Sequence, residues 1–77
     1  MTEHSAVLYV LHIVLIEIRA SESIKKAQVF ADVVHNVPMM VRSGRTEEEI
    51  AAEVMLKAKR QNVEEYFLKL FEMARSK

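Results

Sequence analysis

The chain has no cysteine and no tryptophan, and only one glycine (Gly44), one proline (Pro38) and one aspartate (Asp32) among its 77 residues. Without cysteine there is no disulfide framework, no thiolate zinc site and no thiol nucleophile. A single glycine and a single proline leave little turn-forming material, which disfavours a many-stranded β fold. Net charge is missing too: 11 Lys and Arg balance 11 Asp and Glu. Nothing then supplies the broad electrostatic attraction that draws proteins to nucleic acid or to anionic membranes, so neither partner is expected. The cysteine-free composition fits the reducing cytoplasm, which is the expected location.

No apolar run is long enough to span a membrane. The longest, "AVLYVLHIVLIEI" at residues 6–18, would reach about 20 Å as a helix, against a hydrocarbon core of about 30 Å. The "MTEHS" before it carries no Lys or Arg, so it lacks the basic start of a signal peptide. This run is therefore read as part of the fold.

What is present is helical grammar, in a chain long enough for one domain over 1–77. In "NVEEYFLKLFEMARSK", Val63, Tyr66, Phe67, Leu70, Phe71 and Ala74 recur at the spacing of one helix face. Asn62 with Glu65 is expected to cap its start, and Arg75 and Lys77 suit the negative end of its dipole. In "TEEEIAAEVMLKAKRQ", Thr46 and Glu49 form a capping box, and Ile50, Ala51, Val54, Met55 and Ala58 make the apolar stripe.

In "SESIKKAQVFADVVHNVP", Ser21 or Ser23 caps a helix whose face is Ile24, Ala27, Phe30, Ala31 and Val34, broadened by Val33 and Val37. Pro38 should push Val37 out of helical geometry and begin a short turn near 38–42. The expected fold is all-α: a small four-helix domain with helices at about 4–20, 22–36, 46–61 and 63–75. The expected core is Leu11, Val14, Ile18, Phe30, Val34, Val54, Phe67, Leu70 and Phe71.

The opening run is apolar on two sides. At about 100° per residue, one face holds Val7, Val10, Leu11, Val14, Leu15 and Ile18. Ser5, His12 and Arg19 form a narrow polar line, beside which lie Tyr9, Ile13, Ile16 and Ala20. Three short helices can cover one of these faces; covering both is harder. Each large aliphatic side chain left wet forgoes about 1.5–3 kcal/mol. The expectation is a helical homodimer joined through Tyr9, His12, Ile13, Ile16 and Ala20. Two alternatives stay open: a central helix in a monomer, or a strand over residues 6–18 pairing across a dimer.

Few residues point to chemistry. His4 and His12 would stand about 12 Å apart along a helix, too far to share a metal. No paired histidines at helical spacing and no Ser-His-Asp arrangement can be read, so no catalytic, metal or cofactor residue is assigned. The remaining polar cluster is His35 and Asn36 in "HNVP", with Arg42 and Arg45 in "RSGR". Arginines before a helix start can hold an anion, although Glu47, Glu48 and Glu49 follow at once.

The stretch "SGRTEEEIAAEV" resembles the opening of the helix-turn-helix in LuxR-type regulators, over about a dozen residues. That resemblance implies a DNA-binding transcriptional regulator. The pattern then departs, because "KAKRQ" continues the helix where the family turns, leaving a degenerate motif. Residues 46–77 also hold six basic against seven acidic side chains.

Three functional classes follow. The first is a small non-enzymatic protein-interaction or regulatory module acting as a homodimer, with a protein partner. The second is the DNA-binding regulator. The third is a small-ligand or enzymatic module with a pocket near His35.

Overall fold

The computed structural model describes residues 4–76, so Lys77 and the outer ends of the 1–77 domain lie outside the described residues. It has five helical segments: α1 (Ser5–Ala20), α2 (Ile24–Val34), α3 (Val37–Arg42), α4 (Glu47–Arg60) and α5 (Glu64–Arg75). Strands are absent among the described residues. His35 and Asn36 both keep right-handed helical backbone between α2 and α3. Those two segments therefore read as one bent helix, and the architecture is an all-α globule of four helices.

The bend follows from Pro38 near the start of α3. Its ring meets the carbonyl four residues back, at Val34, and it has no N–H to continue the ladder. Val37 was expected to leave helical geometry, yet it is the first residue of α3 and is buried. Its burial outweighs the local pre-proline preference.

Local signals set the other ends. The Ser23 hydroxyl accepts a hydrogen bond from the Lys26 N–H at 3.2 Å and starts α2. Two Schellman closures end α3 and α4. At the first, the Arg45 N–H reaches the Met40 carbonyl and the Gly44 N–H reaches Val41, both at 3.1 Å, with Gly44 at φ 81°. At the second, the Val63 N–H donates to Ala58 at 2.9 Å and Asn62 N–H to Lys59 at 3.2 Å, with Asn62 at φ 61°. Asn62 thus terminates α4 rather than capping α5, because asparagine is among the few residues that tolerate the left-handed region. Val63 is the N-cap of α5 and offers no side-chain acceptor.

The expected capping box of α4 is complete. The Thr46 hydroxyl accepts from the Glu49 N–H at 3.2 Å, and the Glu49 carboxylate accepts from the Thr46 N–H at 3.0 Å. The backbone hydrogen bond from Thr46, then its hydroxyl, hold the Glu49 carboxyl below the usual glutamate range; Arg45 adds to this, while desolvation opposes it. A depressed folded-state value means the ionised carboxylate stabilises the fold above the unfolded-state value, and that contribution fades as pH falls through the folded one. The stability advantage of the wild type over Glu49→Gln should therefore be present at neutral pH. It should start to shrink as pH falls below about 4.3, the ordinary glutamate value, and vanish only below the lowered folded-state value. Urea titrations at several pH values would show this; a pH-independent difference would contradict it.

The core is wholly apolar among the described residues: Val7, Val10 and Val14 of α1, Phe30, Val33 and Val34 of α2, Val37 and Met40 of α3, Ile50, Val54 and Ala58 of α4, and Phe67, Leu70 and Phe71 of α5. Helix α1 packs mainly on α2 and α5, with α4 also against it, while α3 rests on α4. Phe30 stacks on Tyr66 at 4.9 Å between ring centroids, and Phe67 meets both edge-on at 6.0 and 5.4 Å. The radius of gyration, 11.8 Å, matches the roughly 11.5 Å expected for a compact chain of this length.

Two expected core residues, and two residues placed on inner helix faces, change. Leu11 and Ile18 are half-buried, because α1 is turned so that the narrower valines, Val7, Val10 and Val14, face the centre. Leu15 accordingly lies on the surface. Ile24, placed on the inner face of α2 by its spacing, is 78% exposed. The inner line of α2 runs instead through Phe30, Val33 and Val34.

Candidate functional site: an apolar groove beside α1

Turning α1 onto its valines has a cost on the other side. At 100° per residue, Leu8, His12, Leu15 and Arg19 fall on one line that points away from Val7, Val10 and Val14. All four are exposed. Leu8 and Leu15 keep 41% and 42% of their surface, and neighbouring Ile16 keeps 49%. Beside this ridge runs a groove of about 250 Å³ lined by Leu11, Leu15 and Ile18 of α1, Ala31 and Val34 of α2, His35 at the bend and Pro38 of α3. Only His35 among these carries a polar side chain.

Helix pairing explains the groove. Ala31 is small where Leu11, Leu15 and Ile18 are large, so α1 and α2 leave a furrow between them. The bend at residues 35–36 and the proline ring close one end. Ile24 at the start of α2 and Met39 after Pro38 are also largely exposed, outside the groove lining.

The expected interface residues divide. His12, Ile16 and Ala20 are exposed. Tyr9 and Ile13 are half-buried and pack against the protomer's own core. The two-faced character of α1 is therefore met in part by its central position, with α2 on one flank and α5 on the other.

The expected polar cluster does not converge. The His35 ring Nδ1 donates to the Asp32 carbonyl at 3.0 Å, an ordinary helix-end contact. His35 also borders a shallow cleft with Asp32, Lys57, Arg60 and Gln61, whereas Arg45 lines a separate one with Glu49, Ala52, Glu53 and Leu56. Arg42 is exposed and Asn36 half-buried, with no side-chain capping bond from Asn36. No group of His, Asp and Glu able to hold a metal occurs among the described residues. Nor does any buried charged or polar residue. Burial, then the charge of Glu17, raises the Tyr66 phenol above its ordinary value, which keeps it neutral.

One connection was not anticipated. The Glu47 carboxylate accepts hydrogen bonds from the Ala6 and Val7 N–H groups, the latter at 3.1 Å, and the His4 ring Nε2 donates to the Arg45 carbonyl at 2.7 Å. The start of α4 therefore caps the start of α1. The only hint in the sequence was an acid-rich first turn with more carboxylates than its own helix needs.

Fold and site together define an all-α globule of four helices, one bent, with an apolar furrow and a leucine ridge on a single face. No helix among the described residues is long and apolar enough to cross a membrane. Comparison of the chain with family models, with curated proteins and with solved structures finds no match.

Proposed function

We propose that this chain is a small non-enzymatic interaction module that acts as a homodimer and works by binding protein. The observation that carries the reading is the exposed pair Leu8 and Leu15 beside the α1–α2 groove, with exposed Ile16 across the polar line of Ser5, His12 and Arg19. Scattered single hydrophobics on a protein surface are normal, but a ridge joined to a furrow is the form of an interaction surface. The core is wholly apolar among the described residues, and the expected His35, Asn36, Arg42 and Arg45 do not share one cleft.

The ligand-binding alternative draws on the same groove, since His35 and Pro38 border it. At about 250 Å³ it falls just below the roughly 300–1,000 Å³ of ordinary small-molecule sites. The DNA-binding alternative has less to draw on. The exposed charges of α5 are Glu64, Glu65 and Glu72 against Lys69 and Arg75, an acidic balance for a helix that would approach phosphate.

Sedimentation equilibrium over a concentration series tests the proposal. A mass of two chains at micromolar concentration, falling to one on dilution, is the expected result. A constant single-chain mass up to millimolar concentration would end the homodimer reading.

A further inference from the structure

Going beyond the interaction reading, we infer that residues 36–45, α3 and the turns on either side of it, form a strap that opens and closes as a unit on an otherwise folded domain. Two histidine rings hold it shut, His35 at its α2 end and His4 at its α4 end.

Hydrogen bonding marks off the near end. The last rung of α2 runs from the His35 N–H to the Ala31 carbonyl at 2.8 Å, and the first of α3 from the Met40 N–H to the Asn36 carbonyl at 3.0 Å. Between them, Pro38 has no N–H to give the Val34 carbonyl. The Asp32 carbonyl takes a donor from a side chain, the His35 ring Nδ1 at 3.0 Å. A carbonyl oxygen only accepts, so Nδ1 must carry the hydrogen. The ring therefore bridges the bend where a straight helix would use the backbone N–H of residue 36.

The far end is held in the same manner. The His4 ring Nε2 donates to the Arg45 carbonyl at 2.7 Å. Just beyond Arg45 the chain is fixed again, by the Thr46–Glu49 capping box and by the Glu47 carboxylate on the Ala6 and Val7 N–H groups. The starts of α1 and α4 are thus joined without help from the strap.

Little holds the segment between these ties. Of residues 36–45 only Val37 and Met40 are buried, and α4 is the main helix against α3. The other bonds of the strap are local: the Ser43 N–H to the Met39 carbonyl at 2.9 Å, and the Gly44 and Arg45 closures onto Val41 and Met40. A segment with few buried side chains opens at lower free energy than the core around it. Once lifted, a six-residue helix is too short to persist alone. Opening would bare Val37, Met40 and the part of α4 beneath them, and would carry off Pro38, which borders the α1–α2 groove.

Native-state amide exchange over a series of low urea concentrations tests this. In the wild type, the Ser43, Gly44 and Arg45 amides should exchange at least about tenfold faster than those of Val54 and Phe71. Their urea dependence should be shallower, because less surface is exposed. Phe67→Leu weakens the core and should quicken the Val54 and Phe71 amides while leaving those of the strap unchanged. His35→Ala should speed strap exchange by about three- to tenfold, the effect of losing one hydrogen bond. His35→Asn, whose amide can stand in for the Nδ1–H, should stay near the wild-type rate.

The absence of cysteine supplies a second readout. A thiol reagent should label Val37→Cys at least about tenfold faster than Val54→Cys, although both side chains are buried, and adding His4→Ala should quicken labelling at position 37. Strap amides that match Val54 in rate and urea dependence, and quicken with it in Phe67→Leu, would overturn the strap. Unchanged exchange in His35→Ala, or an asparagine variant that behaves like the alanine one, would overturn the part given to His35. If Val37→Cys fails to fold, amide exchange decides alone.

Discussion

Phe67→Ala is expected to cost about 3–5 kcal/mol, the range for truncating a fully buried phenylalanine. Phe67 has no exposed surface and sits edge-on to both Phe30 and Tyr66. Truncation therefore removes its own burial and strips the edge contact from two other rings. The total stability of a chain this short is about 4–12 kcal/mol, so the variant should be largely unfolded under mild denaturant. Phe67→Leu keeps most of the volume and should lose less, because the surrounding side chains have less space to fill. Urea unfolding at a fixed protein concentration would compare the two, since association changes apparent stability. An alanine variant within about 1 kcal/mol of wild type would mean that the aromatic cluster does not organise the core.

Glu47→Ala is the second large effect, expected at about 1–2 kcal/mol, the upper part of the range for losing a helix cap. The carboxylate serves two N–H groups of α1 from 40 positions away in the chain. Its removal leaves those donors to water and loosens the contact between the two helix starts. Glu48 is exposed on the same turn, so Glu48→Ala is a matched control and should stay within about 0.5 kcal/mol. Melting should separate the variants by several degrees, because about 1 kcal/mol moves the midpoint of a domain this size by about 4–8 °C. Amide exchange should quicken at Ala6 and Val7 in the Glu47 variant alone. Equal effects of the two substitutions would show that the first turn of α4 matters only as bulk negative charge.

These two residues also mark what a single chain makes legible. Phe67 stands out because α5 has one clean apolar face, and Leu70 and Phe71 follow it into the core as the spacing predicts. The α4 capping box, Ser23 as the α2 cap and the break around Pro38 are local signals, decided within four residues. Glu47 was opaque because its partners lie 40 and 41 residues away, and no local pattern distinguishes it from Glu48. The rotation of α1 was hidden for a related reason. With apolar residues on most sides, several orientations bury similar area, and packing volume decides among them. Valine won the centre, which moved Leu15 to the surface and drew Tyr9 and Ile13 partly inward. Ile24 shows the reverse error: correct spacing at the first position of a helix does not ensure a neighbour to pack against.

The long-range cap has a consequence for biosynthesis. The greasiest helix of the chain leaves the ribosome before Glu47, which secures its first turn, and before α5, which covers one flank. At about 5–20 residues per second, the final helix trails by on the order of 3–10 s. Until then the nascent segment has only α2 beside it and lacks its α5 cover, and nascent chains crowded on one message would meet with that flank bare.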